Sequence, residues 1–114
     1  MRKIAVLACM IVAFTMQAQV EPTYERENDK VKVTYYYEDG AIKEQGFFKD
    51  KKLDGTWITY DQKGNKTAIA HYASGNKVGK WFIWSPNGLK EIDYNNNTIA
   101  SVQTWKEETK IAVK

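Results

Sequence analysis

Only one side chain in this sequence titrates near neutral pH, and it is the first candidate for acid–base chemistry. His71 alternates with Ala70 and Tyr72 in a segment of strand-like composition, so successive side chains point to opposite faces. None of the serines has the context of a nucleophile elbow, and Ser85 has the features of a turn residue. No pair of carboxylates is singled out by spacing either. We therefore predict a structural histidine, no catalytic residue and no enzyme activity.

The N-terminus has the layout of a secretory signal peptide. Arg2 and Lys3 precede an apolar run at residues 4–14, and residues 15–19 are more polar. The run is too short for a membrane span, which needs roughly 20 apolar residues. An uncleaved anchor and a lipoprotein site at Cys9 are the less favoured alternatives. We predict a signal peptide at residues 1–19, cut near Ala18 or Gln19, a periplasmic or secreted protein, and no integral membrane span after cleavage.

Cleavage there would remove the only cysteine, and with it disulfides, thiol nucleophiles and Cys-ligated zinc. The 17 Lys and Arg residues fall to 15 against 14 acids, which leaves a net charge of +1. Such a chain has little electrostatic attraction for nucleic acid. The acidic turns offer one carboxylate each, too few for calcium, and the glycine spacing is not that of a phosphate-binding loop. The sequence thus predicts no cofactor, no metal and no nucleic-acid partner.

An internal repeat of 24 residues is the strongest signal after residue 19. The spacing recurs in three columns: Gly40, Gly64 and Gly88; Trp57, Trp81 and Trp105; and Tyr36, Tyr60 and Trp84. The phase weakens near Asn95, because Tyr94 arrives two residues early relative to Tyr72. We predict a repeat domain at residues 31–105, preceded by a poorly ordered segment at 20–30 and followed by a tail at 106–114.

Each unit reads as a β-hairpin. Segments rich in aromatic and β-branched residues, such as 56–60 and 80–84, are followed by turn sequences that end in glycine. The turn glycines are Gly40, Gly64 and Gly88, each at the fourth position of a type I turn. The predicted fold class is all-β: a meander of antiparallel hairpins that forms an elongated, twisted single sheet.

Strand alternation separates the apolar residues onto two faces. One column is expected to form the core against the small residues Gly46 and Ala70, and its members are Val33, Trp57, Trp81 and Trp105. The other face carries the candidate partner-binding residues Tyr36, Ile58, Tyr60, Phe82 and Trp84. An exposed aromatic stripe of this kind is typical of a partner surface. The alternative is a sheet coiled enough to bury both columns.

The pattern Gly-x-Trp-x-x-Tyr/Trp with a glycine four residues further on resembles the bacterial variant of the MORN repeat. It stands at Gly55–Tyr60 with Gly64 and Tyr72, and at Gly79–Trp84 with Gly88 and Tyr94. The resemblance implies stacked hairpins and extends to YwqK-type toxin–antitoxin antitoxins. Similar short exported chains carry the name of a nicotinate-mononucleotide adenylyltransferase, but this chain lacks the His-x-x-His motif and the helix that such an enzyme needs.

We therefore expect a non-catalytic exported module that binds an unidentified protein in the periplasm or outside the cell. The alternatives are an antitoxin that neutralises a protein toxin, and binding of a cell-envelope glycan through stacking on the aromatic stripe.

Overall fold

The computed structural model describes residues 20–106 as one antiparallel sheet. Its strands are β1 (Thr23–Glu27), β2 (Lys30–Tyr36), β3 (Ile42–Lys49), β4 (Lys52–Leu53), β5 (Gly55–Tyr60), β6 (Lys66–Ala73), β7 (Asn76–Lys77), β8 (Gly79–Ser85), β9 (Gly88–Asn95) and β10 (Thr98–Lys106). The prediction of an all-β meander of antiparallel hairpins in one sheet is confirmed. The predicted signal peptide at residues 1–19 and all of the predicted tail after residue 106 lie outside the described residues.

Each long strand pairs with the next long strand along the chain, in the order β1-β2-β3-β5-β6-β8-β9-β10. The two-residue strands β4 and β7 pair only with β3 and β6, respectively. They stand at the links between hairpins, and after each of them the register slips before the next long strand begins. The β-branched and aromatic composition of β5 and β8 suits this half-buried, pleated environment.

Two of the three predicted turn glycines share the same local geometry. Gly40 and Gly64 have φ of 93° and 91°, and their N–H groups donate to Tyr37 O and Asp61 O, three residues earlier. Gly88 also stands at the fourth position of its turn, with Ser85 at the first. It already belongs to β9 and lies directly opposite Ser85, so the third hairpin closes with a two-residue loop. In the first two hairpins the loop has five residues, at positions 37–41 and 61–65.

A second set of turns returns the chain to the next hairpin. Each has two central residues, and both have positive φ, which is the conformation of a type I′ hairpin turn. This handedness matches the right-handed twist of the flanking strands. The central pairs are Asp50 and Lys51, Ser74 and Gly75, and Asn96 and Asn97.

The core lies on one side of the sheet, which we call the core face. It is the side that carries Val33, Trp57 and Ala70, which are all buried. A Cβ on Gly46 would overlap the Trp57 ring, so the indole can pack on β3 only because this residue is glycine. The Trp57 indole also donates from Nε1 to Phe47 O at 3.0 Å.

The repeat preserves this arrangement one hairpin later. The Trp81 indole donates to His71 O at 3.1 Å, and residues 71 and 81 are both 24 positions beyond the first pair. Trp57 meets Phe48 edge to face, and Trp81 meets Tyr72 in the same way, each with ring centroids 5.2 Å apart. Trp81 is nevertheless only half-buried.

Trp105 is not a core residue, contrary to the sequence prediction. Its side chain is 41% exposed, and it lies opposite Leu89. Val102 occupies the position opposite the buried Ile92. Because Trp105 is three residues from Val102, an odd number, the alternation of side chains turns it to the other face.

The expectation of poor order at residues 20–30 is also wrong for most of that segment. Strand β1 pairs with β2 over its whole length, from Thr23 opposite Thr34 to Glu27 opposite Lys30. The Thr23 and Tyr36 hydroxyls are 3.0 Å apart and hydrogen-bonded. The polar side chains that suggested disorder are those of an edge strand, where the backbone ladder provides the pairing and charge protects the open side.

Candidate functional site

The face opposite the core face carries a row of apolar side chains at its centre. Ile58 lies directly opposite Ile69 on β6, and Ile69 in turn lies opposite Phe82 on β8. Directly opposite residues of an antiparallel pair point to the same side of the sheet. The three side chains are therefore neighbours on one surface, and all are half-buried.

The row continues along β8 and across to the last strand. Phe82 and Trp84 stack with ring centroids 6.2 Å apart. Trp84 lies opposite Leu89, and Leu89 lies opposite Trp105 on β10. Together they form what we call the apolar strip: Ile58, Ile69, Phe82, Trp84, Leu89 and Trp105.

The structure gathers three of the five candidate residues into this strip and leaves two at its margin. Ile58, Phe82 and Trp84 are members. Tyr60 pairs with Lys66 beyond a register shift, and its carbonyl accepts a hydrogen bond of 2.6 Å from the Tyr37 hydroxyl. Tyr36 is separated from Tyr60 by β3.

Three members of the strip were missed from the sequence. Ile69 could have been found, because the return strand that faces Ile58 must place some residue beside it, and the period-two pattern makes that residue isoleucine. Leu89 was not singled out and Trp105 was assigned to the core column, because their position depends on the register of the third hairpin.

Polar pairs border the strip and satisfy one another. His71 Nδ1 and Thr56 Oγ1 are 3.1 Å apart across β5 and β6, so the only histidine has a structural partner. Lys80 Nζ lies 3.4 Å from Glu91 Oε2. The charges of Lys80 and Glu91 thus compensate each other beside the strip.

The core face has an open groove of about 470 Å³. Ala68 and Ala70 are among the small residues that line it, and aromatic rings stand around them. Burial raises the pKa of the Tyr35 and Tyr72 hydroxyls, and the negative charge of Glu44 adds to the shift of both. Glu44 thus lies near both tyrosines.

The two edges of the sheet differ in chemistry. Strand β1 carries Glu25, Arg26 and Glu27 in five residues, which is typical of a protected edge. Strand β10 has no charged residue from Thr98 to Trp105, and it is nine residues long. The apolar strip thus ends at the edge strand β10, whose residues 98–105 lack the charged side chains that discourage pairing with another strand.

Two further observations bear on function. Within residues 20–106, no three His, Cys, Asp or Glu side chains are arranged to hold a metal ion. The same residues contain no helix of the length and apolarity required to cross a bilayer.

The strand order, the repeated indole bonds and the regular links define a repeat protein of β-hairpins stacked side by side in one sheet. The family model described as the MORN repeat variant matches residues 28–50 and 53–74. The two matched segments are adjacent and similar to MORN-variant repeats. They coincide with the two hairpins that have five-residue loops, and the third hairpin, with its shorter loop, lies beyond the matched residues. No curated protein matches the chain.

Proposed function

We propose that this chain is a non-catalytic, exported interaction module that binds a protein through the apolar strip. One observation carries the proposal: six apolar side chains from five adjacent long strands form a continuous row on one face of the sheet. Within residues 20–106, every strand belongs to that sheet, so no second layer covers the row. A row of this kind suits a protein partner because aromatic residues dominate the energetics of protein interfaces.

The composition of the strip favours a protein over a glycan. Three of its six members are aliphatic, and a sugar ring needs hydrogen-bonding groups around the aromatic plane on which it stacks. The nearest charged pair, Lys80 and Glu91, is already joined. The partner we propose therefore offers an apolar patch with little net charge.

Adjacent positions on β10 allow a matched crosslinking test. Gln103 lies opposite Glu91 on the strip face, and Thr104 lies opposite Lys90 on the core face; both are exposed. A photoreactive benzoylphenylalanine placed at residue 103 should crosslink the partner in whole cells, and the same group at residue 104 should not. Equal yields from both positions, or a yield from 104 alone, would contradict the proposal.

The partner identified by the crosslink is then purified, and its affinity for this chain is measured by titration. The double variant Trp84→Ala, Trp105→Ala should weaken binding by at least about 30-fold, since truncation of central aromatic residues costs about 2 kcal/mol or more. Val102→Ala is the matched control: this residue is 53% exposed on the same strand but on the core face. We expect it to leave affinity within about twofold. If the partner crosslinks but the double variant binds it with unchanged affinity, the apolar strip is not the binding surface.

The alternative functions give different outcomes of the same experiments. An antitoxin would crosslink to a protein whose expression arrests growth, and the double variant would fail to restore growth. A glycan-binding module would give no protein crosslink, and it would sediment with insoluble cell-wall material. Export is tested separately by N-terminal sequencing of the protein from the cell envelope, with a start near Val20 expected.

A further inference from the structure

The groove on the core face lies on the opposite side of the sheet from the apolar strip. Its walls include Tyr35, Trp57, Tyr72 and Trp81, and Ala68 lies among them on β6. Trp57 is buried and bonded to β3, and Trp81 is bonded to β6, so these walls are held in place by the fold. The groove is therefore preformed.

Glu44 is the only carboxylate among the residues that line the groove. It is half-buried and lies opposite Tyr35 on β2 and Thr59 on β5. Of the three ion pairs within the described part of the chain, none includes Glu44. No side-chain hydrogen bond to its carboxylate occurs among those residues either. A carboxylate that is partly removed from water in aromatic surroundings is stabilised by a cation.

One basic residue also lines the groove, and its position does not neutralise Glu44. A second cation, the Lys77 ammonium, lies over the ring of the Trp81 wall, 5.4 Å from its centroid. The Lys43 ammonium lies over the Tyr37 ring, 5.8 Å from the centroid. Among the described residues, it forms no ion pair with the Glu44 carboxylate. Lys43 occupies the register shift between β2 and β3, which carries it out of the regular alternation.

Aromatic faces around a carboxylate attract an organic cation by two forces at once. The ring faces carry negative quadrupole density, and the carboxylate adds a full charge. We propose that the groove binds a lysine or arginine side chain of a partner polypeptide, with the cation beside Glu44 and the aliphatic stem against the indoles. This site is independent of the apolar strip, because the two lie on opposite faces.

The repeat itself indicates that the site is specific to the first hairpin. The position 24 residues after Glu44 is Ala68, which carries no charge and leaves space in the groove. The acid therefore belongs to one unit, whereas the tryptophan walls belong to the repeat. The repeated tryptophans thus form the framework of the groove, and Glu44 is the residue that gives it specificity.

Short peptides test the proposal directly. The purified protein is titrated with acetyl-Gly-Lys-Gly-amide and acetyl-Gly-Arg-Gly-amide, and with the norleucine peptide as a neutral control of similar length. NMR shifts of the indole N–H groups report the position: Trp57 and Trp81 should move, and Trp105 on the other face should not. We expect saturation at about millimolar concentration for the basic peptides, and weaker binding at high salt.

Two variants complete the experiment. Glu44→Gln keeps the size of the side chain and should weaken the basic peptides by at least about tenfold, because hydrogen bonds to charged groups contribute more than neutral ones. Glu91→Gln, on the strip face, should have no such effect. Equal binding of the norleucine peptide, shifts at Trp105 alone, or unchanged affinity in Glu44→Gln would each overturn the proposal. If Glu44→Gln does not fold, the norleucine comparison and the salt dependence of the unaltered protein still decide it.

Discussion

The second and third hairpins have the same phase in the sequence but different geometry. In the second hairpin, Trp57 lies opposite Ala70, and a register shift between Thr59 and Tyr60 precedes a five-residue loop. In the third hairpin, Trp81 lies opposite Ile92 with no shift, and the loop has two residues. Ile92 therefore stands two positions earlier than a 24-residue repeat of Ala70 would require. The turn that follows β9, at Asn96 and Asn97, is also two positions earlier than a 24-residue repeat of Ser74 and Gly75 would require.

The difference teaches that a constant period in sequence does not guarantee a constant face in the sheet. A shift of two residues preserves the face, as Ile92 demonstrates by being buried. The next link then slips by one residue, between Ile99 and Ser101, instead of by two. That odd step moves Trp105 from the core face to the apolar strip. The third tryptophan of the column is thus a surface residue.

Tryptophan truncation should give the largest contrast. Trp57→Ala is expected to lower the free energy of unfolding by about 3–5 kcal/mol, because it empties a buried aromatic site. Trp105→Ala is expected to change it by less than about 1 kcal/mol. Urea unfolding followed by circular dichroism measures both. If Trp57→Ala is unfolded without urea, Trp57→Phe supplies the measurable case. Equal losses for residues 57 and 105 would restore Trp105 to the core.

Gly46→Ala is the next largest expected effect. The added methyl group would overlap the Trp57 ring, which the bond to Phe47 O and the Phe48 contact hold in place. Overpacking of this kind costs about 1–3 kcal/mol. The equivalent residue of the second hairpin is already alanine, so Ala70→Gly, which relieves no clash, is the control. A Gly46→Ala protein as stable as the original would show that the indole does not rest on β3.

A reciprocal exchange tests the links between hairpins. Lys51 and Gly75 are 24 residues apart, and both have positive φ, at 65° and 86°. A lysine in this conformation is strained, whereas glycine is not. Lys51→Gly should therefore raise stability by about 1 kcal/mol, and Gly75→Lys should lower it by a similar amount. Thermal unfolding of the two variants and of the double exchange measures this. Destabilisation by Lys51→Gly would mean that the two links are not equivalent.

The smallest expected effect concerns a contact that only the first link makes. The Ser74 N–H donates to Asp54 at 3.0 Å, and Lys30 lies 3.0 Å from the same carboxylate; these contacts hold the pKa of Asp54 below its ordinary range. The residue 24 positions later is Val78, which has no such charge. The stabilisation by Asp54 is present above its unfolded pKa of about 3.9 and is lost as pH falls through the lower folded pKa.

Asp54→Asn should cost less than about 1 kcal/mol at neutral pH, because asparagine can still accept from Ser74 and the Lys30 pair is partly exposed. It should also reduce the stability lost between about pH 5 and pH 2. Urea midpoints across that range provide the measurement, with Val78→Thr as a control at the equivalent position. An unchanged pH dependence would place the acid sensitivity in other carboxylates.

Much of the fold could be predicted because local chemistry repeats. The glycines at positions 40 and 64, and the alternation of aromatic residues around Trp57, each require only neighbouring residues to be interpreted. Strand alternation alone likewise places Ile58 and Phe82 on the face opposite Trp57 and Trp81. The early position of Tyr94 is visible in the sequence as well, but the face on which Trp105 lies also depends on the register shift between Ile99 and Ser101.

The sequence by itself determined the period, the hairpins and the two sets of side chains, because turn type and strand parity are local properties of the chain. Only the tertiary structure decided which set continues across the sheet. Cross-strand register depends on loop length and on slips at each link, and these accumulate from one hairpin to the next. The apolar strip and the groove around Glu44 are both products of that register, since each joins residues from at least four strands.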